Sequence, residues 1–265
     1  MDKPYQILPD VVVLPGHFPI PGAGFLQINA YVIKAKEPVL VDTGMGIESE
    51  SFMAALKSVI DPRDLRWVWL THDDADHTGS IQKVMEAAPD ARLAANSLAV
   101  LRMCTAWAVP MDRVHWLNPG DSIDVGDRKL TAVRPPLFDN PTTIAVHDDK
   151  SEALFAADCF GALIPSPSAQ NIDEISAEDL EQGMRSWASA DSPWVHMVPP
   201  GDFNRSLDRI RQFAPKSVLS CHLPPALGKT EQLLQLLAKV PASTPFVTPD
   251  QTALEQLLVM KGGGN

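Results

Sequence analysis

The sequence predicts an α/β fold in which two β-sheets face each other and helices cover their outer faces, a four-layer α/β-β/α sandwich. Short apolar and β-branched segments alternate with amphipathic ones in the first half, and strand patterns followed by helical patterns return in the second half. The 265 residues are 45% hydrophobic, which is enough for a substantial core. We therefore expect one domain over residues 1–260 and a disordered tail at residues 261–265.

The first half begins as a meander of strands that closes on the turn Asp42-Thr43-Gly44 and continues as a β-α-β arrangement. Its predicted strands are residues 11–14, 28–34, 38–41, 67–70 and 92–95, and its predicted helices are residues 49–60, 80–88 and 98–103. The predicted strands of the second half are residues 122–125, 129–133, 142–146, 152–155 and 217–219, and its predicted helices are residues 177–190, 204–213 and 230–237.

Composition excludes several classes of partner. The net charge is −11, with 33 acidic and 22 basic residues, so we expect no nucleic-acid partner. The N-terminus lacks a basic region followed by an apolar core, and no apolar run is long enough to span a bilayer, so we expect no membrane association and a cytoplasmic location. Three widely spaced cysteines indicate reduced thiols and not a disulfide framework.

Four potential metal ligands lie within six residues, directly after the apolar strand predicted at residues 67–70. They are His72, Asp74, Asp76 and His77. Ligands between the end of a strand and the start of a helix cannot all share one face, so we expect an irregular loop that turns several side chains inward. Such a loop can hold two ions.

Three further candidates, Asp139, Asp158 and His222, each follow a strand or open a turn. Side chains at the ends of successive strands meet at one sheet edge, where ligands in open α/β structures collect. A turn or capping residue is the alternative for any one of them, and it is the better interpretation of Asp139 taken alone. The complete set favours a metal centre.

This pattern resembles the metallo-β-lactamase superfamily, whose signature is H-x-H-x-D-H followed by a later His, a bridging Asp and a final His. Residues 39–44 also look like the early strand and turn of that superfamily. Asp74 stands where the second His is usual, and Asp139 stands where the later His is expected. The oxygen-binding β-lactamase-like domain of flavodiiron proteins has a carboxylate at the Asp74 position, and it is similar to this chain at residues 154–161 and around Asp139 as well.

The resemblance implies a metallo-β-lactamase-like sandwich with two ions. One ion would be held by His72, Asp74 and Asp139, the other by Asp76, His77 and His222, with Asp158 bridging. Three histidines and four carboxylates form a hard ligand set, so iron is favoured over manganese and zinc. Four ionised carboxylates also cancel the charge of two divalent ions, which leaves little positive charge to acidify a bound water.

Two more residues are expected near the ions without binding them. His17 lies in an early segment that resembles the flavodiiron loop bringing a non-ligand His to the site, and an exposed loop residue is the alternative. Asp42 ends a buried strand and is expected to accept hydrogen bonds from the ligand loop and orient an imidazole. A turn Asp with a structural role is the competing interpretation.

Three functions fit these residues. The first is a dinuclear protein that binds or reduces dioxygen or another small diatomic gas; its electrons would come from a separate flavin or iron–sulfur donor, because the sequence has no flavodoxin-like segment. The second is a metal-dependent hydrolase of an ester, lactone or thioester. The third is a non-catalytic sensor with a degraded site. A homodimer is compatible with all three.

Overall fold

A computed structural model of the chain describes residues 1–247 and 249–262. Seven strands form the first sheet in the order β1 to β7. They are β1 (Tyr5–Leu8), β2 (Val11–Ile20), β3 (Gly24–Ile33), β4 (Val39–Val41), β5 (Trp67–Trp69), β6 (Arg92–Ala95) and β7 (Val114–Trp116). Strands β1 to β4 pair antiparallel, whereas β4 to β7 pair parallel.

Six strands form the second sheet. They are β8 (Ser122–Asp124), β9 (Lys129–Val133), β10 (Ala145–Asp148), β11 (Ala153–Phe155), β12 (Ser217–Leu219) and β13 (Ala226–Leu227). Their order is β13-β12-β11-β10-β9-β8, and β11 pairs parallel with β12. The ends of β11 and β12 therefore lie side by side at one edge of this sheet.

Eight α-helices complete the described part of the chain. They are α1 (Ser49–Val59), α2 (Ala75–Thr78), α3 (Ile81–Ala87), α4 (Ser97–Met103), α5 (Ala177–Asp191), α6 (Pro200–Phe213), α7 (Thr230–Ala238) and α8 (Gln251–Gly262). Among the described residues, no helix has the length and apolar character needed to cross a membrane.

Three apolar layers separate the four layers of secondary structure. The central layer joins the inner faces of the two sheets and includes Val13, Trp69 and Phe155. One outer layer packs α1, α3 and α4 on the first sheet, and the other packs α5, α6 and α7 on the second sheet. The predicted α/β-β/α sandwich is thereby confirmed.

The sequence located most of the inner strands and missed three edge or short strands, β1, β7 and β13. Strand β2 continues to Ile20, well beyond the predicted residues 11–14, although Pro15 and Pro19 lie within it. Beyond Val13 this strand pairs only with β3, so a proline can occupy it without removing a ladder hydrogen bond on the other side. Helix α8 includes the first two residues of the predicted disordered tail, and residues 263–265 lie outside the described part.

Candidate metal centre

The ligand loop lies between β5 and α3 and contains the four-residue helix α2. Thr71 and His72 lie two and three residues after the end of β5 and are buried. Asp74 precedes α2, and Asp76 and His77 lie within it. One turn of helix brings the His77 ring back over His72, with 3.9 Å between the ring centroids. The loop is thus shorter and more regular than the sequence suggested.

The turn Asp42-Thr43-Gly44, after β4, fixes the position of this short helix. The Thr43 hydroxyl and backbone N–H both donate to the His77 carbonyl, at 2.7 and 2.8 Å, and the Gly79 N–H donates to the Gly44 carbonyl at 2.8 Å. Only glycine fits at position 79, because a Cβ there would lie 2.0 Å from the Gly46 nitrogen.

Asp158 and His222 follow β11 and β12, which end side by side. Ala157 and Phe160, on either side of Asp158, have φ angles of 54° and 68°, and this left-handed backbone turns the carboxylate inward from the strand end. Gly161 packs against the two residues that face it, since a Cβ there would lie 2.5 Å from the Trp187 ring and 2.8 Å from the His222 Cβ.

The two oxygens of the buried Asp158 carboxylate face different imidazoles. Its Oδ2 lies 3.3 Å from His72 Nε2, and its Oδ1 lies 2.9 Å from His77 Nε2 and 3.1 Å from His222 Nε2. Asp76 is on the Oδ1 side, with its Oδ2 3.6 Å from His77 Nε2 and 3.5 Å from His222 Nε2. A carboxylate that presents one oxygen to each of two groups has the geometry of a bridge between two ions.

The His72 side of the bridge also contains Asp74 and Asp139. Ligand atoms of these three residues lie within 4.8 Å of one another. Asn140 connects the two loops, because its side-chain amide donates to Asp74 Oδ1 at 2.8 Å. The structure therefore brings all seven predicted metal ligands to one place, in the two groups that the resemblance implies. We refer to His72, Asp74 and Asp139 as the first group and to Asp76, His77 and His222 as the second group.

Hydrogen bonds behind the imidazoles orient their Nε2 atoms toward the centre. His77 Nδ1 lies 2.9 Å from Asp42 Oδ2, and His222 Nδ1 lies 2.7 Å from the Gln27 carbonyl. Thr71 Oγ1 donates to Asp42 and lies 3.1 Å from His72 Nδ1. When the protons are on Nδ1, the three Nε2 atoms present lone pairs to the centre.

Buried atoms without hydrogen-bond partners test whether these residues fit metal ions. His72 Nε2, His77 Nε2 and Asp158 Oδ1 are buried, and none has a hydrogen-bond partner among the described residues. A buried polar atom without a partner is costly. Ions that accept these lone pairs would satisfy all three atoms, so the donor set fits a metal centre.

The electrostatics of the centre also favour cations. Burial lowers the pKa of His72, but the Asp158 carboxylate overrides this and the net pKa is raised. Burial raises the pKa of Asp158, yet the imidazoles of His72, His77 and His222 hold it well below its usual range. Burial raises the pKa of Asp139 to about 6, with repulsion from Asp158 as the next cause. Carboxylates in this pocket therefore stabilise positive charge placed among them.

Three residues outside the predicted ligand set have positions that the sequence did not indicate. His17 lies in strand β2, not in a loop, and its described contacts are Asp2 Oδ2 at 3.4 Å and the edge of the Phe25 ring. Cys221 is buried, and its sulfur lies within 4.8 Å of donor atoms of His77 and His222. Asp191 was missed: its carboxylate lies within 4.8 Å of those of Asp139 and Asp158.

The family was identified by comparison with known proteins. The model of the ODP family beta lactamase matches residues 26–222, well over half of the chain. The chain belongs to this ODP beta-lactamase family. The resemblance seen in the ligand loop is confirmed, since the match covers every predicted ligand.

Relatives and solved structures similar to this ODP chain include a flavorubredoxin and several flavodiiron proteins. It is 28% identical over 182 residues to the anaerobic nitric oxide reductase flavorubredoxin of Salmonella typhi, and the match covers 65% of this chain and 36% of that relative. Its fold is that of rubredoxin oxygen:oxidoreductase from Desulfovibrio gigas, with a TM-score of 0.78 at 18% identity over 92% of this chain and 62% of that one. The flavodiiron protein of Giardia intestinalis gives a TM-score of 0.79 at 14% identity, over 91% and 60%. The chain thus spans only about a third to two thirds of the length of these proteins.

Proposed function

We propose that this protein holds two metal ions, iron by preference, and binds or reduces dioxygen or another small diatomic gas. The observation that carries the proposal is the Asp158 carboxylate, whose oxygens face His72 on one side and His77 and His222 on the other. In the proposed centre the first and second groups would each hold one ion, and Asp158 would contribute one oxygen to each.

The donor set supports iron over zinc. Carboxylates outnumber imidazoles among the seven residues. Sites rich in hard oxygen donors suit iron and manganese, whereas sites rich in thiolate or imidazole donors suit zinc. When bound, the two ions would supply redox-active centres with open coordination positions. The names of the relatives agree with this chemistry, since one is a nitric oxide reductase and another an oxygen oxidoreductase.

The protein's own residues bind, orient and shield the ions. Asp42 accepts from His77 Nδ1 and fixes its tautomer, and the Gln27 carbonyl does the same for His222. The imidazoles are fully buried, whereas Asp74 and Asp76 keep 37% and 30% of their side chains exposed. A small gas would therefore approach the centre from the side of these two carboxylates.

Electrons would come from a flavin or iron–sulfur donor. Flavorubredoxin and rubredoxin oxygen:oxidoreductase carry the names of such carriers, which supports a donor of this class for this chain too. The donor would be a separate protein that docks near the exposed carboxylates.

Metal content after anaerobic expression in iron-supplemented medium tests the proposal. We expect about two irons per chain in the wild type, and a large loss of iron in His72→Ala and His222→Ala. The matched control is His147→Ala, because His147 is a partly buried histidine that packs on Phe213 outside the centre. The reduced wild type should consume oxygen or nitric oxide when a chemical electron donor is present.

Two results would overturn the proposal. A wild type that binds no metal in any medium would support the sensor with a degraded site. Tight zinc with ester or lactone hydrolysis, and no gas consumption by the iron form, would support the hydrolase.

A further inference from the structure

Asp191 is the last residue of α5, and it is fixed beside the proposed metal centre by the packing of that helix. One helical turn earlier, the Trp187 indole N–H donates to the Asp158 carbonyl at 3.3 Å, so the same face of α5 carries both residues toward the Asp158 turn. Gly183 lets the helix approach closely, since a Cβ there would lie 2.2 Å from the Leu163 carbonyl oxygen. Asp191 is therefore not a mobile surface acid.

The position is unfavourable for a carboxylate unless something compensates it. The C-terminus of a helix carries partial negative charge, and the last turn of α5 contains no basic residue. Asp191 also lies within 4.8 Å of the Asp139 and Asp158 carboxylates. The only described hydrogen bond to its side chain comes from the Ser192 hydroxyl, at 3.0 Å on Oδ2.

Among the described residues, no lysine or arginine forms an ion pair with Asp139, Asp158 or Asp191; the described ion pairs of Asp158 are with imidazoles alone. Like charges brought this close together need a compensating charge, and the need is greatest at Asp158, which is buried. An independent observation points to a cation as that charge. The buried His72 Nε2, 3.3 Å from Asp158 Oδ2, has no hydrogen-bond partner within the described part of the chain.

We propose that Asp191 is an additional ligand of the ion held by the first group, a role that rests on the proposed dinuclear centre. Asp139 belongs both to the group with His72 and Asp74 and to the group with Asp158 and Asp191. Ligand atoms of Asp139 and Asp158 thus lie within 4.8 Å of His72 as well as of Asp191. A carboxylate reaches less far than an imidazole, so Asp191 would add a donor atom near the position where Asp139 stands in place of the expected His.

This ligand changes the chemical class of the site. The ion of the first group would be held by one imidazole and by carboxylates from four different segments. Such an oxygen-rich set selects hard cations, Mn²⁺ and Fe²⁺, over Zn²⁺. The ion of the second group, with two imidazoles, would be the less selective of the two.

Titration of Mn²⁺ alone into the metal-stripped full chain tests this role, followed by calorimetry and by the electron paramagnetic resonance signal of free Mn²⁺. For Asp191→Asn we expect one site to weaken about tenfold or more while the other keeps wild-type affinity. Zn²⁺ affinity should fall less than Mn²⁺ affinity. The control is Asp208→Asn, which removes an exposed helical carboxylate that pairs with Arg211.

The thermal midpoint of the metal-free variant separates a ligand from a structural residue. Removing a repelled carboxylate should leave that midpoint unchanged or raise it, whereas loss of a structural contact would lower it. Two Mn²⁺ sites of wild-type affinity in Asp191→Asn would overturn this inference and leave the proposed function standing. A wild type that binds no Mn²⁺ or Fe²⁺ would overturn both.

Discussion

Replacement of Asp42 by asparagine tests whether hydrogen bonding behind the imidazoles controls metal binding. Asp42 is buried and accepts from the Thr71 N–H at 2.8 Å, the Thr71 hydroxyl at 2.8 Å and His77 Nδ1 at 2.9 Å. Its φ angle of 60° is one that asparagine tolerates, so the backbone should remain unchanged. The substitution therefore alters only the pattern of donors and acceptors.

The magnitude follows from the three contacts. The amide oxygen can keep the Thr71 N–H, but the amide nitrogen then faces Thr71 Oγ1 and His77 Nδ1 and must donate to both. Replacing two charge-assisted hydrogen bonds by neutral ones costs about 2 kcal/mol of unfolding free energy. Donation to Nδ1 also moves the His77 proton to Nε2, the atom that would bind the ion. We expect metal affinity to fall about 10–100-fold, which is about 1.4–2.7 kcal/mol.

The matched control is Asp148→Asn. Asp148 is fully buried and accepts from the Ser151 hydroxyl at 2.7 Å and from Arg128 at 3.0 Å, but it lies in β10 away from the centre. Chemical denaturation of both variants, with metal titration by calorimetry, gives the comparison. Asp148→Asn should lose at least as much unfolding free energy and keep its metal affinity. If Asp42→Asn binds metal as tightly as the wild type, or if both variants lose metal equally, the reasoning is refuted.

Three further predictions concern packing, pH and metal. Gly79→Ala places a Cβ 2.0 Å from a backbone nitrogen, so we expect unfolding free energy to fall by about 3 kcal/mol or more and metal binding to weaken. Gly201→Ala, which has open space around the Cβ, should be neutral in the same denaturation and titration assays. In the metal-free protein, the pKa values of Asp139 and Asp191 are raised to about 6 and about 7, so these two carboxyls bind more protons in the folded state than in the unfolded state. Above about pH 5, where the carboxyls of lowered pKa such as Asp76 and Asp158 are ionised in both states, unfolding free energy should fall as pH rises to about 7. A flat profile in urea denaturation over that range would contradict this. Saturating Mn²⁺ or Fe²⁺ should reverse that trend and raise the thermal midpoint, with about 2.7 kcal/mol of stabilisation at a hundredfold excess over Kd, measured by calorimetry at fixed metal concentration.

The strand-borne part of the centre could be predicted because parallel strands end together. The apolar runs at residues 67–70, 152–155 and 217–219 located β5, β11 and β12, and the first ligand after each strand lies three residues beyond its end. The strands that the sequence missed are those with two to four residues at or near sheet edges, β1, β7 and β13. Such short segments carry too few alternations to distinguish a strand from a turn.

The position of Asp191, at the end of α5, could not be predicted, because the sequence of a helix does not indicate which other segment its end will contact. Helical periodicity over residues 177–190 indicated which residues share a face, but not that this face lies over the Asp158 turn. That contact depends on the close approach of Gly183 to Leu163, about twenty residues apart. A glycine within a helical pattern does not indicate which residue will pack against it. The helix predicted over residues 177–190 accordingly ended one residue before Asp191, and the sequence assigned this carboxylate no role.

Asp191, which the sequence did not identify, changes the balance between carboxylate and metal charge in the proposed centre. Four carboxylates, those predicted from strand ends and the ligand loop, neutralise two divalent ions. With Asp191 ionised the carboxylates number five, and two divalent ions leave one negative charge, whereas one divalent and one trivalent ion leave none. With Asp191 as a ligand, the proposed centre would favour oxidation of one ion more than the four predicted carboxylates alone would. In the iron-loaded protein, Asp191→Asn should raise the potential at which the fully reduced centre loses its first electron, so that this oxidation becomes harder, while the Asp208→Asn control should leave that potential unchanged.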